Sequence, residues 1–260
     1  METVRRTPAS QGIERGRWRL CGSPLGSIRA ALPWLTHDTD AAVSRALKRL
    51  DVRLKRGRLR LQSPDPAYLI KLLWIGAAWL RALTEPERIA LAFGDEVSVY
   101  RQPTLADRWF PVGEEPTVGL SWRANTRWRI SGGFDGVTGA VTHTAAKVMG
   151  VTKRCQFLAR LRERYGEREI VLVWDNWPVH RHPDVLACAG ELGIHILWLP
   201  TYAPWTNPIE KLWRWLRQEV IHCHRRADQW EEMKHAVAAF LDRFAGGSHA
   251  LLRYVGLLPD

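Results

Sequence analysis

Two runs of consecutive apolar residues stand out along the chain, and an acidic residue closes each of them. Ile89–Phe93 is followed by Gly94 and Asp95, and Ile170–Trp174 is followed by Asp175. Short apolar runs that close in a polar turn predict strands buried in a sheet. Both acids are therefore expected at the carboxyl ends of central strands, where open α/β sheets place their functional sites.

The hydrophobic pattern elsewhere predicts the remaining elements. Alternation continues the first strand to Arg101 and predicts strands over 122–134 and 140–145, and another apolar run predicts a strand over 194–199. Apolar positions spaced three and four apart predict helices over 68–83, 152–165, 183–192 and 228–244. A further helix is expected to begin at Asn207-Pro208, with Asn as its cap and Pro as its first residue.

The order of these elements from residue 88 onwards is β-β-β-α-β-α-β-α. It predicts an α/β fold, in which helices pack on a mixed five-stranded sheet. The first and fourth strands are neighbours in that arrangement, so Asp95 and Asp175 should meet, and the last-mentioned helix brings Glu210 over the same place. Carboxylates arranged in this way can share hard cations such as Mg²⁺. The same residues also suit a turn and a helix start without any metal, and their spacing alone leaves both explanations open.

The first part of the chain has a different pattern. Apolar spacing predicts a short helix within 17–35 and a second helix from about Asp38, followed by a basic hairpin around Gly57. Two helices and a basic hairpin indicate a helix-turn-helix module of winged-helix type that binds DNA phosphates, although an ordinary solvated basic face is the alternative. The predicted DNA contacts are Ser44, Arg45, Lys48, Arg49, Arg53, Lys55, Arg56, Arg58 and Arg60.

The charge distribution favours the DNA-binding interpretation. Residues 1–71 hold 15 Lys+Arg against 6 Asp+Glu, whereas the remaining residues hold 23 against 21. A basic module joined to a near-neutral domain is typical of nucleic-acid binding. The sequence contains no apolar run long enough for a membrane span and no apolar N-terminal stretch of signal-peptide type. Its four cysteines are scattered without a Cys-x-x-Cys pair, which argues against a zinc site and fits a reducing cytoplasm.

These patterns divide the chain into four regions. Residues 1–16 are expected to be disordered, and 17–62 to form the helix-turn-helix module. A Pro-marked break opens a linker and connecting helix over 63–87. The catalytic α/β domain is expected over 88–250.

Three stretches carry a resemblance to a known family: FGDE at 93–96, VWDNWPVH at 173–180 and LPTYAPWTNPIEKLWRWLR at 199–217. With them the chain resembles the mariner-type superfamily of DDE transposases, in its bacterial insertion-sequence branch, whose catalytic domain has the ribonuclease H-like fold. The 34 residues between Asp175 and Glu210 also match this superfamily. The resemblance implies that Asp95, Asp175 and Glu210 bind two Mg²⁺ or Mn²⁺ ions and catalyse phosphoryl transfer on DNA.

Three further residues are candidates for supporting roles, and one of them, His180, lies where the family has a histidine. Asn176 is expected to hold Asp175 or contact the substrate, with a plain turn residue as the alternative. His180 is expected to contact the scissile phosphate or to support the metal site, with a structural role as the alternative. Asn207 is expected to set the helix start that aims Glu210.

Glu96 and four tryptophans near the motifs could also contribute to the site, and each has a structural role as the alternative. Glu96 follows Asp95 along a strand and should point to the opposite face, so it is not counted as a ligand. Four tryptophans near the motifs are candidates for stacking on DNA, although most of the 14 Trp are expected in the core. The four are Trp177, Trp205, Trp213 and Trp215.

The leading hypothesis is a cut-and-paste transposase that cleaves the terminal inverted repeats of an insertion sequence and joins them to target DNA as a homodimer. The chain departs from the family in showing one helix-turn-helix subdomain instead of two, which suggests an N-terminally truncated copy or a separately encoded catalytic half. The alternatives are a catalytically inactive, transposase-derived DNA-binding protein and a structure-selective DNA nuclease of the same fold.

Overall fold

The computed structural model describes residues 62–107, 111–113 and 117–259, together with Arg45 and Arg49. No helix in these ranges combines the length and apolar character that crossing a membrane requires.

The chain divides into two compact units, Met1–Arg60 and Leu61–Asp260. In the first unit Arg45 and Arg49 are helical and exposed, one helical turn apart. The predicted disordered N-terminus and the rest of the predicted helix-turn-helix module lie outside the described residues. So do the predicted DNA contacts Ser44, Lys48, Arg53, Lys55, Arg56, Arg58 and Arg60.

The second unit consists of five strands and six α-helices in its described residues. Its strands are β1 (Ile89–Tyr100), β2 (Arg127–Asp135), β3 (Val141–Ala146), β4 (Glu169–Trp174) and β5 (Ile194–Trp198). Its helices are α1 (Tyr68–Thr84), α2 (Val151–Tyr165), α3 (Pro183–Glu191), α4 (Ile209–Leu216), α5 (Trp230–Asp242) and α6 (His249–Val255). A 3₁₀ turn at Pro204–Thr206 precedes α4, and a π-helical turn at Arg217–Ile221 follows it.

The strands form one sheet in the order β3-β2-β1-β4-β5. The β1–β2 and β2–β3 pairs are antiparallel, whereas β1–β4 and β4–β5 are parallel. This confirms the predicted mixed five-stranded sheet and the adjacency of the first and fourth strands. The parallel pairing of β1 with β4 reaches Phe93 and Val173, so Asp95 and Asp175 each follow two residues later on neighbouring strands.

The alternating pattern correctly continued the first strand past Asp95, but only one of the two acids lies at a strand end. Asp175 does follow the last residue of β4, but β1 runs on through Asp95 to Tyr100. The reason is that β2 pairs with β1 from Ala92 to Tyr100 and sets Asp95 opposite Gly132. Asp95 is therefore a mid-strand residue that faces a cavity, because its parallel neighbour β4 has already ended.

Side-chain alternation along β1 separates two hydrophobic clusters. Leu91 and Phe93 belong to the cluster that includes apolar residues of α1, α4, α5 and α6. Ala90 and Ala92 belong to the other cluster, with residues of α2 and α3. The sheet is thus covered by helices on both faces, which explains why its central strands are continuously apolar.

Helix α1, predicted as a connecting helix, packs on the sheet of the second unit. Its buried residues are Ile75, Ala78 and Ala82, and Trp79 Nε1 donates a 2.9 Å hydrogen bond to the Gly136 carbonyl. The opposite side of α1 is apolar but exposed. Its exposed large side chains are Leu69, Ile70, Leu73, Trp74, Leu80 and Leu83.

The strand predicted over 122–134 begins later, at Arg127, and its two glycines lie inside the strand instead of at its end. Both glycines make room for side chains from the covering helices. A Cβ on Gly132 would lie 2.5 Å from the ring of Trp213, and a Cβ on Gly133 would lie 2.9 Å from Leu161. Trp213 belongs to α4, so Gly132 allows the helix that carries Glu210 to lie close to the sheet.

The C-terminal part also differs from the prediction. Helix α5 is shorter than the predicted range 228–244, and α6 was not predicted. Helix α6 has recognisable end signals, because Ser248 accepts a hydrogen bond from the Leu251 amide and Gly256 adopts the left-handed conformation. Its seven residues are too few to show a clear helical period.

Replacing Gly132 with alanine is expected to lower the free energy of unfolding by about 1–3 kcal/mol, because the new Cβ overlaps the buried indole of Trp213. Urea unfolding followed by tryptophan fluorescence measures the change. The matched control is Gly190→Ala in α3, where nothing lies within 4 Å of a Cβ and alanine favours the helix. Equal stability of Gly132→Ala and the wild type would contradict this packing.

Candidate active site

A cavity of about 540 Å³ opens where β4 and β5 end beside β1. Asp95 of β1, Asp175 after β4 and Glu210 in the first turn of α4 all line it. The structure therefore brings the three acids that the sequence singled out into one cavity, each from a different element of the fold.

Asp95 is held by a buried tryptophan of α4. Its Oδ2 accepts a 2.9 Å hydrogen bond from Nε1 of the buried Trp213. Burial raises the pKa of Asp95 well above its usual range, and the negative charges of Glu210 and Glu96 raise it further. The ionised form of this carboxyl is thus disfavoured by its surroundings.

Asp175 has the opposite electrostatic balance. Its Oδ1 accepts hydrogen bonds from His180 Nδ1 at 2.6 Å and from the Trp177 amide at 3.1 Å. Burial alone would raise the pKa of Asp175, but the hydrogen bond and the charge of His180 outweigh it and lower the pKa. Neither hydrogen bond uses Oδ2.

Glu210 lies in the first turn of α4 and is half-buried. Burial raises its pKa, Arg217 opposes that effect, and the charge of Asp175 adds to it. The acids therefore repel one another where the fold holds them.

Asn207 does not play the predicted role of helix cap. The cap position is Pro208, without a side-chain hydrogen bond, and Asn207 Nδ2 instead donates to the Gly94 carbonyl at 3.0 Å. That hydrogen bond ties the loop before α4 to β1, next to Asp95. Asn207 Oδ1 is buried at the cavity and has no hydrogen-bond partner among the described residues.

His180 is fully buried and contacts Asp175 directly. Its ring stacks on Trp174 with centroids 3.8 Å apart, and Nε2 lies 3.0 Å from Glu96 Oε1. Since both ring nitrogens face carboxylates, both must donate, and the ring is an imidazolium. Burial would lower the pKa of His180, but the hydrogen bonds to Asp175 and Glu96 raise it to about 9.

Glu96 and Arg154 are two residues near the site that the sequence analysis did not assign to it. Glu96 points away from Asp95, as strand alternation predicts, and lies between His180 and Arg154. Arg154 of α2 is fully buried, and its Nη2 lies 3.5 Å from Glu96 Oε1. A signal for Arg154 exists in the sequence, because it occupies an apolar position of α2, three residues before the buried Phe157.

The other predicted residues are Asn176 and the four tryptophans. Asn176 does not hold the Asp175 carboxylate: its Nδ2 donates to the Leu199 carbonyl at 2.6 Å, which ties the ends of β4 and β5. Of the four tryptophans, Trp213 and Trp215 pack in the core, whereas Trp177 and Trp205 are partly exposed, and Trp177 lines the cavity.

The residues around the cavity fit a divalent metal ion in donor type and in charge. Three carboxylates and the unpartnered Asn207 Oδ1 supply oxygen atoms, which are the preferred ligands of Mg²⁺ and Mn²⁺. A cation would relieve the repulsion that raises the pKa values of Asp95 and Glu210. Among the described residues, however, no three His, Cys, Asp or Glu side chains form a ready-made metal centre.

Comparison with known families identifies the class of protein. The sequence profile of the DDE superfamily endonucleases matches residues 90–234, which is more than half of the chain and includes all three acids. The chain therefore belongs to the DDE superfamily endonuclease family.

Individual proteins are also similar to this chain, one in sequence and others in fold. The 39 kDa protein of insertion element IS630 from Shigella sonnei is 24% identical over 258 residues, which cover 97% of this chain and 73% of the relative. The Mos1 transposase paired-end complex with left transposon end has a chain of similar fold, with a TM-score of 0.58 and 17% identity over 89% of this chain and 70% of that one. The Mos1 mariner paired-end complex with Mn gives a TM-score of 0.58 and 18% identity over 85% of this chain and 68% of that one.

Asp95→Asn and Asp175→Asn are expected to change stability with opposite pH dependence in buffer without divalent ions. The folded-state pKa of Asp95 is raised, so ionisation of Asp95 lowers the free energy of unfolding of the wild type as pH rises. Asp95→Asn lacks this loss, and its stability relative to the wild type therefore increases towards neutral pH. The folded-state pKa of Asp175 is lowered, so its ionisation adds stability that is lost as pH falls through that pKa. Asp175→Asn is therefore less stable than the wild type at neutral pH, and the difference closes in acid.

Urea unfolding of both variants and the wild type across the acid-to-neutral range measures these differences. Differences of the same sign for the two variants at neutral pH would contradict the electrostatic balance described for the cavity.

Proposed function

We propose that this protein is the transposase of a bacterial insertion sequence, which cleaves the DNA ends of its element and joins them to target DNA in the cytoplasm. Membership of the DDE superfamily endonucleases supports the cleavage of DNA. The relationship to an insertion-element protein and the shared fold of Mos1 transposase support transposition in particular.

The observation that carries the proposal is the convergence of Asp95, Asp175 and Glu210 on one cavity. We infer that these three side chains hold two Mg²⁺ or Mn²⁺ ions. Such ions, when bound, activate the attacking water or 3′-hydroxyl and stabilise the leaving oxygen of an in-line displacement at phosphorus. No covalent enzyme intermediate is needed in this chemistry.

Neighbouring side chains hold the acids in position through hydrogen bonds. Trp213 fixes one oxygen of Asp95, and His180 fixes one oxygen of Asp175. Asn207 links the loop before Glu210 to β1. Preorganised ligands of this kind reduce the cost of assembling a site at the moment of reaction.

Asp175→Asn and Glu210→Gln are each expected to lower cleavage by at least about a hundredfold, since losing a ligand removes several kcal/mol of transition-state stabilisation. The measurement is Mg²⁺-dependent cleavage of a labelled duplex that carries the terminal repeat found beside the coding region. The matched control is Glu191→Gln, an exposed acid at the end of α3, which should cleave like the wild type.

The outcome also separates the alternatives. Equal cleavage by the wild type and Asp175→Asn would contradict the enzyme proposal and favour a DNA-binding protein without activity. Cleavage of branched DNA in preference to the terminal duplex, without joining, would favour a structure-selective nuclease.

We also propose that the basic segment before residue 61 binds DNA through its phosphates. Its eight Lys+Arg between Arg45 and Arg60 support this, as does the exposure of Arg45 and Arg49 on successive helical turns. An element has two inverted ends, so a two-fold homodimer that holds one end on each subunit is the arrangement that we expect.

Arg45→Ala with Arg49→Ala is expected to weaken binding of any duplex and to flatten its salt dependence. The slope of log K against log salt should fall by about 0.9 for each phosphate that the protein no longer neutralises. Fluorescence anisotropy at several salt concentrations measures the slope. The control is Arg253→Ala, an exposed arginine of α6, and an unchanged slope in the double variant would contradict phosphate binding by this helix.

A further inference from the structure

Glu96 is not one of the three acids that line the cavity, yet three side chains approach one of its carboxylate oxygens. Its side chain is only 9% exposed. Its Oε1 lies 3.0 Å from His180 Nε2 and 3.2 Å from the Ser131 hydroxyl, which donates to it. Arg154 Nη2 approaches the same oxygen at 3.5 Å.

His180 connects this buried acid with the cavity. Its side chain has no solvent exposure, stacks on Trp174 and meets the edge of Trp177. One ring nitrogen faces Glu96 and the other faces Asp175. The ring therefore has one orientation in which both N–H groups are satisfied, and Glu96 is the acceptor on its inner side.

His180 contacts one carboxylate oxygen of Asp175, Oδ1. Asp175 Oδ1 takes the hydrogen bonds from His180 and from the Trp177 amide. Two donors on Oδ1 fix the plane of the carboxylate and direct Oδ2 elsewhere, while Asp175 itself lines the cavity. The orientation of the free oxygen thus depends on the ring behind it.

We propose that Glu96 is a positioning residue: through His180 it fixes the orientation in which Asp175 presents its free oxygen to a metal ion. This proposal rests on the proposed role of Asp175 as a metal ligand. Carboxylates behind a histidine commonly orient the groups that contact a metal, and losing such a partner typically costs about 10–100-fold in metal affinity. Here the histidine transmits the constraint to a carboxylate ligand.

The competing explanation is that Glu96 only neutralises the buried Arg154. The two explanations predict different couplings. If Glu96 acts through His180, then removing His180 already removes the effect of Glu96, and the two substitutions together cost no more than His180→Gln alone. If Glu96 serves only Arg154, its substitution lowers stability without a specific effect on metal affinity.

The experiment measures Mn²⁺ affinity of the full chain without DNA, from the electron paramagnetic resonance signal of free Mn²⁺. Glu96→Met, which has no carboxylate or amide oxygen to accept from His180, and His180→Gln are each expected to weaken binding by about tenfold or more. The double variant should match His180→Gln. Ser131→Ala is the control, because it removes another contact of Glu96 without touching His180, and it should bind like the wild type.

A second variant guards against loss of folding. Glu96→Asp keeps a negative charge near Arg154 but draws the carboxylate back from His180. It should therefore retain the stability of the wild type more fully than Glu96→Met, as judged by urea unfolding, and still bind Mn²⁺ more weakly than the wild type.

Three outcomes decide the matter. Weakened binding that is not additive with His180→Gln supports the proposal. Wild-type affinity in Glu96→Met or Glu96→Asp, or losses that add in the double variant, overturns it. If the wild type itself binds no Mn²⁺ and cleaves no DNA, the proposed function fails instead, whatever the Glu96 variants do.

Discussion

The parallel pairing of β1 with β4 is the constraint on which the site depends. These two buried strands run together from Ile89 and Glu169 to Phe93 and Val173, and then they separate. Strand β4 ends, whereas β1 continues alongside β2. The cavity lies where the two strands separate, which we call the fork. Asp95 and Asp175, the first acidic side chains after the paired apolar stretch, line it. Because hydrophobic packing on both faces of the sheet holds the fork, the acids are placed by the core and not by their own mutual interactions.

Their mutual interactions in fact oppose the arrangement. Burial and neighbouring negative charge disfavour the ionised forms of Asp95 and Glu210, whereas His180 stabilises that of Asp175. The site therefore contains one acid whose pKa is lowered and two whose pKa values are raised, and a bound cation would favour the ionised forms of all three. Such unequal neighbours are typical of functional sites, where local stability is given up for chemistry.

Much of this architecture can be read from local sequence, because buried parallel strands leave continuous apolar runs. These runs were enough to predict the sheet, the adjacency of its first and fourth strands and the placement of Asp175. What could not be read depends on contacts between distant parts of the chain. Asn207 donates to the Gly94 carbonyl instead of capping α4, because tertiary packing brings that carbonyl within hydrogen-bond distance. The pairing of Glu96 with Arg154 joins residues 58 positions apart, for which a single sequence carries no spacing rule.

The adjacency of Asp95 and Glu96 on one strand has a consequence for how this protein can change over time. The two acids serve opposite faces of the sheet only because side chains alternate along β1. Inserting or deleting a single residue between Ile89 and Asp95 would interchange them, placing the partner of His180 in the cavity and turning the partner of Trp213 towards α2. Length variation among natural variants should therefore collect in the loops that flank β1, while the stretch from Ile89 to Glu96 keeps a constant number of residues.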